Sequence, residues 1–280
     1  MLEVRLIDNT FHECGPSCGT GQTGIAPKHM KWYIGNEPRD ITVFTDNCLH
    51  QVNNIDSKIK VAWLIESRAI SPHIYENIKS LYDKFDYIFT HDKELLYSDH
   101  KDDSEPQETK FHFTPLAGHW IKDKQVYPKT KNLSIIASNK RMTTGHNLRH
   151  SIINQYREHM DVYGNGYNAI VDKLEGLKDY RFQIVIENLK YDYWFTEKLI
   201  DVFVTGTIPI YYGCPSINNF FNTEGMLQFD DEKDFELLLP LLTEEYYNDR
   251  LDVVKENYET AIDKYLTPED YMFNALLGDL

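Results

Sequence analysis

Four short runs of almost continuous apolar residues constrain the fold of this 280-residue chain more than any other feature. They read VAWLI, LSIIA, FQIVI and IPIYY, at residues 61–65, 133–137, 182–186 and 208–212, and the last predicts a strand at 208–211. Apolar runs of this length without polar alternation are typical of strands buried on both faces of a parallel sheet. Other β-branched or aromatic runs predict strands at 2–7, 41–45, 87–90, 160–163 and 226–229.

Helical patterns alternate with these strands, and the clearest lie at 72–83, 147–159, 195–205 and 234–247. This alternation predicts βαβ units and an α/β protein. The length suits two compact domains, and a polar, proline-containing loop before the strand at 133–137 places the predicted boundary near residue 129. We therefore expect two Rossmann-like domains, 1–128 and 129–280, with parallel sheets that face a central cleft.

The charge of the chain excludes two classes of partner. With 29 basic and 44 acidic residues, the formal net charge is −15, which repels nucleic acid and anionic membranes. An anionic substrate would therefore have to be held by a few local cations. No stretch approaches 18 apolar residues and the start lacks a signal-peptide pattern, so we expect a cytoplasmic protein of a microbe or virus without an integral membrane segment. The four scattered cysteines predict reduced thiols.

The segment 182–216 carries the most chemical information. Its buried strand ends at Glu187 and Asn188, and a helix is predicted to begin near residue 195, with Gly206 placed to end it in the left-handed conformation. Glu197 and Lys198 then lie in the first helical turn, where free N–H groups and a lysine suit a phosphate and a carboxylate can accept ribose hydroxyls. The local pattern equally fits a Glu197 that complements the helix dipole and a solvated Lys198.

The pattern of this segment resembles a known signature. It reads E-N, then after seven residues T-E-K-L, then G-T-I-P-I-x-x-G-x-P-S, over 187–216. This resembles the signature of the α1,3/4-fucosyltransferase family, which implies a GT-B enzyme that transfers fucose from GDP-fucose to a glycan hydroxyl with inversion. ASNKR at 137–141 and NLR at 147–149 are similar to the opening of the family's donor domain, and WLIES at 63–67 and FDYI at 85–88 resemble it more loosely.

The resemblance also implies roles for individual residues. Glu66 matches the general base, and a partly buried carboxylate at a strand end can have its pKa raised toward a useful value. Glu66 could instead cap the next turn or pair with Arg68, and Arg149 could be a helix-surface arginine. Arg149 and Lys198 match the cations on the pyrophosphate and Glu197 the ribose carboxylate. The donor-binding set implied by the resemblance is Arg149, Glu187, Asn188, Trp194, Thr196, Glu197 and Lys198.

Two positions depart from the family pattern. Leu189 stands where the family usually has serine, and Trp194 where it usually has tyrosine. A larger apolar group and an indole in the donor pocket would favour another donor, such as a UDP- or GDP-linked pentose (for example xylose) or hexose. The partners expected under either donor are a nucleotide sugar and a glycan acceptor. A non-catalytic glycan- or nucleotide-binding module and a sugar-nucleotide epimerase are the competing functions.

We predict no metal site and no required cofactor. The G-x-G-x-x-G match at 19–24 lies well after the first strand and is interpreted as an acceptor-side loop. Cys14 and Cys18 lack a second ligand pair, and His146 and His150 lack the adjacent glutamate of a zinc protease, which favours a packing or solvated role. Two cations and a helix terminus can neutralise a leaving diphosphate, so stimulation by Mg²⁺ or Mn²⁺ is compatible with the sequence but not required.

Overall fold

The computed structural model describes residues 1–9, 25–35, 37–98, 109–116 and 118–275. The chain divides into two compact units, one built from Met1–Gly118 with Thr267–Leu280 and the other from His119–Leu266. We call them unit 1 and unit 2. Each unit carries one parallel sheet, in agreement with the predicted α/β class.

Unit 1 contains a six-stranded sheet in the order β2-β1-β3-β4-β5-β6, and every neighbouring pair is parallel. Its strands are β1 (Leu2–Ile7), β2 (Met30–Ile34), β3 (Ile41–Thr45), β4 (Ile59–Trp63), β5 (Tyr87–Thr90) and β6 (Phe111–Phe113). Its helices are α1 (Pro72–Leu81), α2 (Lys93–Leu96) and, near the end of the chain, α8 (Pro268–Ala275). The buried face of α1 packs against the apolar side chains of β3, β4 and β5 and forms one core of the unit.

Unit 2 contains a five-stranded sheet in the order β11-β10-β9-β7-β8, again parallel throughout. Its strands are β7 (Lys131–Ile136), β8 (Asp161–Tyr163), β9 (Tyr180–Ile186), β10 (Ile208–Tyr212) and β11 (Leu227–Gln228). Its helices are α3 (Thr144–Tyr156), α4 (Glu197–Phe203), α5 (Glu232–Leu238), α6 (Glu244–Asn248) and α7 (Leu251–Lys264). The core lies between the sheet and the buried faces of α3, α5 and α7.

The two sheets are wound in the same order. In each, the first strand lies inside the sheet, the second flanks it at one edge, and the third lies on its other side. This is the doubly wound order 2-1-3-4-5, in which the crossovers reverse direction beside the first strand and open a crevice at the carboxyl ends of the strands. The switch point falls between β1 and β3 in unit 1 and between β7 and β9 in unit 2.

All nine predicted strands are present, with bounds within two residues of the prediction. The strands that sequence patterning missed are β2 and β6, which form the two edges of the unit 1 sheet. Edge strands are exposed on one side and short, so they lack the apolar runs that identify the central strands. β2 carries the exposed Lys31, and β6 is three residues long.

The helix predicted at 234–247 is wrong as a single element. α5 ends at Leu238, a 3₁₀ turn containing Pro240 follows, and α6 begins at Glu244. Proline has no backbone N–H and clashes with the preceding turn, which interrupts the helix there. The helices α2, α7 and α8 have no counterpart among the predicted helices.

The division between the units also differs from the predicted boundary at residue 129. Unit 2 begins at His119, because the segment that follows is bonded to α4 and its end: the backbone N–H of Trp120 donates to the Asp201 carboxylate at 2.6 Å, and that of Gln125 donates to the carbonyl oxygen of Val204 at 3.1 Å. The last segment of the chain belongs to unit 1, where the carboxylate of Asp270 accepts the backbone N–H of Lys28 at 2.9 Å.

Two features interpreted in the sequence lie outside the described residues. They are the glycine-rich loop at 19–24 and the pair Cys14 and Cys18. Cys48 and Cys214 are buried free thiols, as expected of reduced cysteines. Within the described part of the chain, none of the helices combines the length and the apolar character that crossing a bilayer requires.

Candidate functional site

A cavity of about 360 Å³ opens in unit 2 at the carboxyl ends of its central strands. The end of β7 at 136–138, the turn after β8 at 164–165 and the end of β9 at 184–186 line it. Polar side chains reach it from neighbouring elements: Arg149, Lys173, Glu197, Lys198 and Asp201. The cavity therefore occupies the switch point of the sheet, where doubly wound folds bind ligands.

The turn after β9 is organised by Glu187, the residue that directly follows the strand. Its side chain is fully buried. One carboxylate oxygen accepts the backbone N–H of Thr196 at 2.9 Å, the other accepts the Thr196 hydroxyl at 2.9 Å, and the Lys198 ammonium lies 3.3 Å away. A buried carboxylate needs this many donors to offset its desolvation. Glu187 thus fixes the start of α4 and lies outside the cavity lining.

The start of α4 agrees with the sequence prediction. Thr196 is the N-cap, and its hydroxyl accepts the backbone N–H of Lys198 at 3.3 Å. Leu199, Val202 and Phe203 are buried on the predicted face, and Gly206 has φ +68° after the helix end. The first turn therefore holds Glu197 and Lys198 as expected.

Glu197 and Lys198 both line the cavity and influence each other's ionisation. Burial by itself would raise the pKa of Glu197, but the ammonium groups of Lys198 and Lys173, at 3.8 and 3.7 Å, bring it to about 2. Burial would lower the pKa of Lys198, but the carboxylates of Glu187 and Glu197 raise it above its ordinary value. Both side chains are therefore charged at neutral pH.

Arg149 reaches the cavity from α3. It is only 5% exposed, and one guanidinium nitrogen donates to the carbonyl oxygen of Ile186, at the end of β9, at 2.5 Å. Burial lowers its pKa, and the carboxylates of Glu187 and Glu197 oppose that shift. Arg149 is therefore not a helix-surface arginine. Since its hydrogen bond goes to a neutral carbonyl, its positive charge remains available for an anion in the cavity.

A close approach of the backbone brings α3 to this position. The N–H of Gly145, in the first turn of α3, donates to the carbonyl oxygen of Asn188 at 3.1 Å. A Cβ atom at residue 145 would lie 1.8 Å from the carbonyl oxygen of Glu187, so only glycine fits. Asn188 therefore contributes to the site through its backbone, by seating the helix that carries Arg149.

The predicted donor-binding residues thus separate into two groups. Arg149, Glu197 and Lys198 line the cavity, whereas Glu187, Asn188 and Thr196 build the turn behind it. Trp194 is a correction to the sequence interpretation. Its side chain is 1% exposed and absent from the cavity lining, so its indole is packed inside the unit rather than presented to a ligand in this cavity.

Sequence reasoning missed three residues of the cavity. Lys173 begins a 3₁₀ turn, and its ammonium donates to the carboxylate of the buried Asp201 at 2.7 Å and lies 4.5 Å from the ring centre of Trp120. The other oxygen of Asp201 accepts the backbone N–H of Trp120 at 2.6 Å. Asp201 lies four residues after Glu197 on α4, and this helical spacing could have identified it. Nothing in the sequence around Lys173 or Trp120 signals their position.

In unit 1, the predicted base Glu66 lies in the segment after β4 and is half-buried. The carboxylate of Asp46, directly after β3, accepts the backbone N–H groups of Ile65 and Glu66 at 2.8 and 3.1 Å. Tyr75 donates its hydroxyl to the carbonyl oxygen of Glu66. The segment that carries Glu66 is therefore held by side chains from β3 and α1.

The environment of this segment is acidic. Burial raises the pKa of Asp46 to about 7, against its two backbone hydrogen bonds, and the carboxylates of Glu66 and Asp8 add to the rise. Arg68, the alternative partner considered for Glu66, makes a bidentate ion pair with Asp92, at 2.5 and 2.9 Å. Arg68 thus has an acidic partner, Asp92, other than Glu66.

The histidines noted in the sequence are packing residues. His146 and His150 are both buried on α3, and their rings hydrogen-bond to the Thr143 hydroxyl at 2.8 Å and to the Tyr167 hydroxyl at 2.6 Å. Across the residues that the structure describes, no three His, Cys, Asp or Glu side chains come together in a way that could hold a metal ion. The expectation of a metal-independent reaction stays a prediction.

Comparison with known proteins identifies the segment that builds the cavity. Residues 126–251 match the C-terminal domain of glycosyltransferase family 10 (fucosyltransferase). This segment of the chain therefore corresponds to that family's C-terminal domain. The family-10 domain lies within unit 2, contains the whole E-N…T-E-K-L segment, and confirms the resemblance noted in the sequence.

Two curated relatives match the chain over shorter stretches. An α-(1,3)-fucosyltransferase of Helicobacter pylori is 34% identical over 100 residues, which is 35% of this chain and 21% of that protein. A fucosyltransferase-like protein of Arabidopsis thaliana is 36% identical over 64 residues, 22% of this chain and 12% of that protein. The matched regions thus span about a fifth or less of the length of these relatives.

Solved structures of α1,3-fucosyltransferases share the fold of this chain. One, determined with GDP, superposes with a TM-score of 0.55 at 18% identity and covers 97% of this chain and 88% of that one. Another, determined with GDP-fucose, gives a TM-score of 0.54 at 17% identity, with coverages of 94% and 90%. The predicted GT-B fold is confirmed.

Proposed function

We propose that this protein is an inverting glycosyltransferase that moves a sugar, fucose in the first instance, from a nucleoside diphosphate carrier to a hydroxyl of a glycan. One observation carries the proposal. The family-10 segment folds into a cavity at the sheet switch point in which Arg149 and Lys198 accompany the carboxylate of Glu197. This combination suits a nucleoside diphosphate, which needs cations for its phosphates and an acceptor for its ribose.

Local cations supply the attraction for the donor. The whole chain has a net charge of −15, so its surface does not attract an anion. Arg149 and Lys198 are both largely shielded from water, with Lys198 30% and Arg149 5% exposed, and a charge-assisted hydrogen bond is stronger in such surroundings. The same two groups would stabilise the diphosphate as it leaves with the bonding electrons.

Glu197 suits the ribose. Its pKa of about 2 keeps it ionised at neutral pH, and an ionised carboxylate can accept hydrogen bonds from two neighbouring hydroxyls. The ion pairs with Lys173 and Lys198 hold it in the cavity wall. A carboxylate that stays charged also helps to keep the Lys198 ammonium protonated, which preserves a cation needed for the phosphates.

We assign the general base to Glu66 of unit 1. The glycan hydroxyl gives its proton to the Glu66 carboxylate while its oxygen forms a bond to the anomeric carbon. The bond from that carbon to the diphosphate breaks in the same displacement, so the configuration inverts. The backbone around Glu66 is fixed by the hydrogen bonds to Asp46 and Tyr75, as a base that acts in a defined direction requires.

The relatives favour GDP-fucose as the donor, because solved α1,3-fucosyltransferases of the same fold bind GDP and GDP-fucose. A UDP- or GDP-linked pentose or hexose is the second candidate. Of the two residues that motivated it, Trp194 is buried outside the cavity, while Leu189 is half-buried in the turn after β9. The half-exposed Leu189 keeps this alternative open to test.

A donor panel tests the proposal. The protein is mixed with GDP-fucose and with UDP- and GDP-linked pentoses and hexoses, and the thermal midpoint and sugar transfer to glycan acceptors are measured. A ligand that binds the folded state at 100 times its dissociation constant stabilises it by about 2.7 kcal/mol, so the cognate donor should stand out. We expect GDP-fucose to give the largest shift and the transfer. A larger shift with another donor would replace fucose, and no shift with any nucleotide sugar would overturn the proposed function.

A further inference from the structure

The cation that family resemblance did not identify, Lys173, differs from the other two in its surroundings. Arg149 donates to a neutral carbonyl. Lys173 and Lys198 both lie near Glu197, at 3.7 and 3.8 Å, but their second contacts differ. Lys198 lies 3.3 Å from Glu187, whereas Lys173 makes a shorter ion pair with Asp201, at 2.7 Å, and lies over the ring of Trp120. These contacts offset the positive charge of Lys173 within the cavity wall. A lysine held this way is poorly placed to neutralise a phosphate.

Asp201 ties the same groups together from behind. It is 1% exposed, and its two oxygens accept from the Lys173 ammonium and from the backbone N–H of Trp120 at 2.6 Å. Trp120 itself is 47% exposed and lines the cavity, so it offers an aromatic surface there. Aromatic faces stack on nucleobases, and this contribution to binding does not depend on how many phosphates the nucleotide carries.

The turn that carries Lys173 is also rigid. It opens a 3₁₀ turn with a capping box: the carboxylate of Asp172 accepts the N–H of Leu174 at 2.8 Å, and Glu175 reaches back to the N–H of Asp172 at 3.1 Å. The backbone of the lysine is thereby fixed before any ligand binds. Preorganisation of this kind is expected of a residue that positions others.

We infer that Lys173 and Asp201 form a positioning pair for the nucleoside half of the donor, holding the Glu197 carboxylate and the Trp120 ring in place. This inference rests on the proposed function. The pair touches two groups that suit a nucleoside, a carboxylate for ribose hydroxyls and an aromatic ring for a base. It therefore acts on every ligand that carries the nucleoside, whether that ligand has one phosphate or two.

The two classes of cation predict different responses to phosphate number. Lys173→Met should lower the affinities for GDP and for GMP by the same factor, about tenfold each, so that the ratio of their dissociation constants stays constant. Lys198→Met should lower the affinity for GDP more than the affinity for GMP, so that the preference for the diphosphate falls by about tenfold. Because Lys173→Met leaves the buried Asp201 without its cation, the thermal midpoint of the variant should also fall, so the titrations are made well below that midpoint, where each variant is folded.

The experiment is calorimetric titration of GDP and GMP, with UDP and UMP in parallel, into the full chain and its variants. Lys173→Arg keeps the charge and should restore both affinities to within about threefold of wild type. Lys178→Met, at an exposed lysine of the same unit, is the matched control and should change nothing. Asp201→Asn should repeat the effect of Lys173→Met, and the double variant should cost no more than either single one, because both remove the same pair.

Two results would overturn the inference. In one, Lys173→Met shrinks the preference for the diphosphate as Lys198→Met does, which would make Lys173 a phosphate-binding residue. In the other, it leaves both affinities within twofold of wild type. A wild-type protein that binds none of the four nucleotides would overturn the proposed function and this inference with it, whereas wild-type binding with an altered Lys173 response overturns the inference alone.

Discussion

The two units wind their sheets in the same order, yet the side chains at their switch points differ in kind. In unit 1, carboxylates follow the strands on both sides of the switch: Asp8 after β1, Asp46 after β3 and Glu66 beyond β4. In unit 2, the corresponding edge gathers Arg149 and Lys198 around buried carboxylates. The topology thus fixes where a site forms, and the residues at the strand ends decide whether it takes up a proton or holds an anion.

The ionisation of the two sites follows from this difference. Asp46 has its pKa raised to about 7 mainly by burial. Glu197 is also affected by burial, but two ammonium groups bring its pKa to about 2. The pKa values of these two carboxylates, Asp46 and Glu197, therefore lie far apart in one chain. A separation of this kind is expected between a group that exchanges protons and a group that stays charged beside an anion.

The largest effect should come from removing the carboxylate in unit 1. Glu66→Gln keeps the size of the side chain but cannot accept the proton, so we expect turnover to fall by about 10²- to 10⁴-fold, with donor affinity within twofold of wild type. Transfer rates and donor titration measure the two quantities. The matched control is Glu76→Gln, at an exposed glutamate of α1, which should leave both unchanged. Full activity in Glu66→Gln would show that Glu66 is not the general base.

The next largest effect should come from the buried cation of unit 2. Arg149→Met removes a charge that donates to the end of β9, and we expect the affinity for GDP to fall by about 10- to 100-fold. Calorimetry measures the change. Arg157→Met, at an exposed arginine just after α3, serves as control and should bind GDP as wild type does. Equal affinities for the two variants would mean that Arg149 does not meet the diphosphate.

A smaller effect should appear in the pH dependence of stability. Asp46 is ionised in the unfolded chain above about pH 4 but stays protonated in the folded protein up to about pH 7, so the folded state loses stability as the pH rises between these values. From pH 5 to 8 we expect a loss of roughly 1–3 kcal/mol from this residue. Glu197 contributes no such slope there, because its stabilisation is lost only as the pH falls below about 4.5 toward 2.

Urea unfolding at pH 5 and 8 measures this loss in the wild type and in Asp46→Asn. The asparagine variant lacks the titrating group, so its stability should change less between the two pH values. Carbon-13 NMR of the side-chain carboxyl groups gives an independent check, since one signal with a midpoint near pH 7 should be absent from the variant. An identical pH slope in both proteins would show that Asp46 titrates normally.

The smallest effect should be at Trp194. Because its side chain is 1% exposed and outside the cavity, Trp194→Tyr should leave the ranking of nucleotide sugars unchanged and alter each affinity by less than about twofold. The donor panel provides the measurement, with the thermal midpoint recorded to separate packing effects. A changed ranking would restore Trp194 to the donor pocket and would favour the sequence interpretation over the packing seen in unit 2.

The central strands and the start of α4 could be predicted because their signals are local. Apolar runs identify strands buried on both faces, and the T-E-K sequence places Glu197 and Lys198 in a first helical turn. The edge strands β2 and β6 lack such runs. α8 joins unit 1 through contacts such as that between the Asp270 carboxylate and the N–H of Lys28, which are far apart in sequence and leave no local pattern.

The site shows the same limit. Arg149 was assigned from resemblance, but its hydrogen bond to the end of β9 depends on the close approach of Gly145 to Glu187, a tertiary feature. Lys173 lies in a polar, capped turn typical of a protein surface, and only the fold brings it to Asp201. Conversely, an indole such as that of Trp194 is a common ligand-stacking group, and its burial becomes visible only in the folded structure.

A crystal structure of the protein with GDP would test the central claim most directly, namely that the unit 2 cavity holds the diphosphate of the donor. We predict that the phosphate oxygens lie within hydrogen-bonding distance of the Arg149 guanidinium and the Lys198 ammonium, with the ribose hydroxyls on Glu197. A diphosphate bound elsewhere, or bound in this cavity without contact to either cation, would contradict the account.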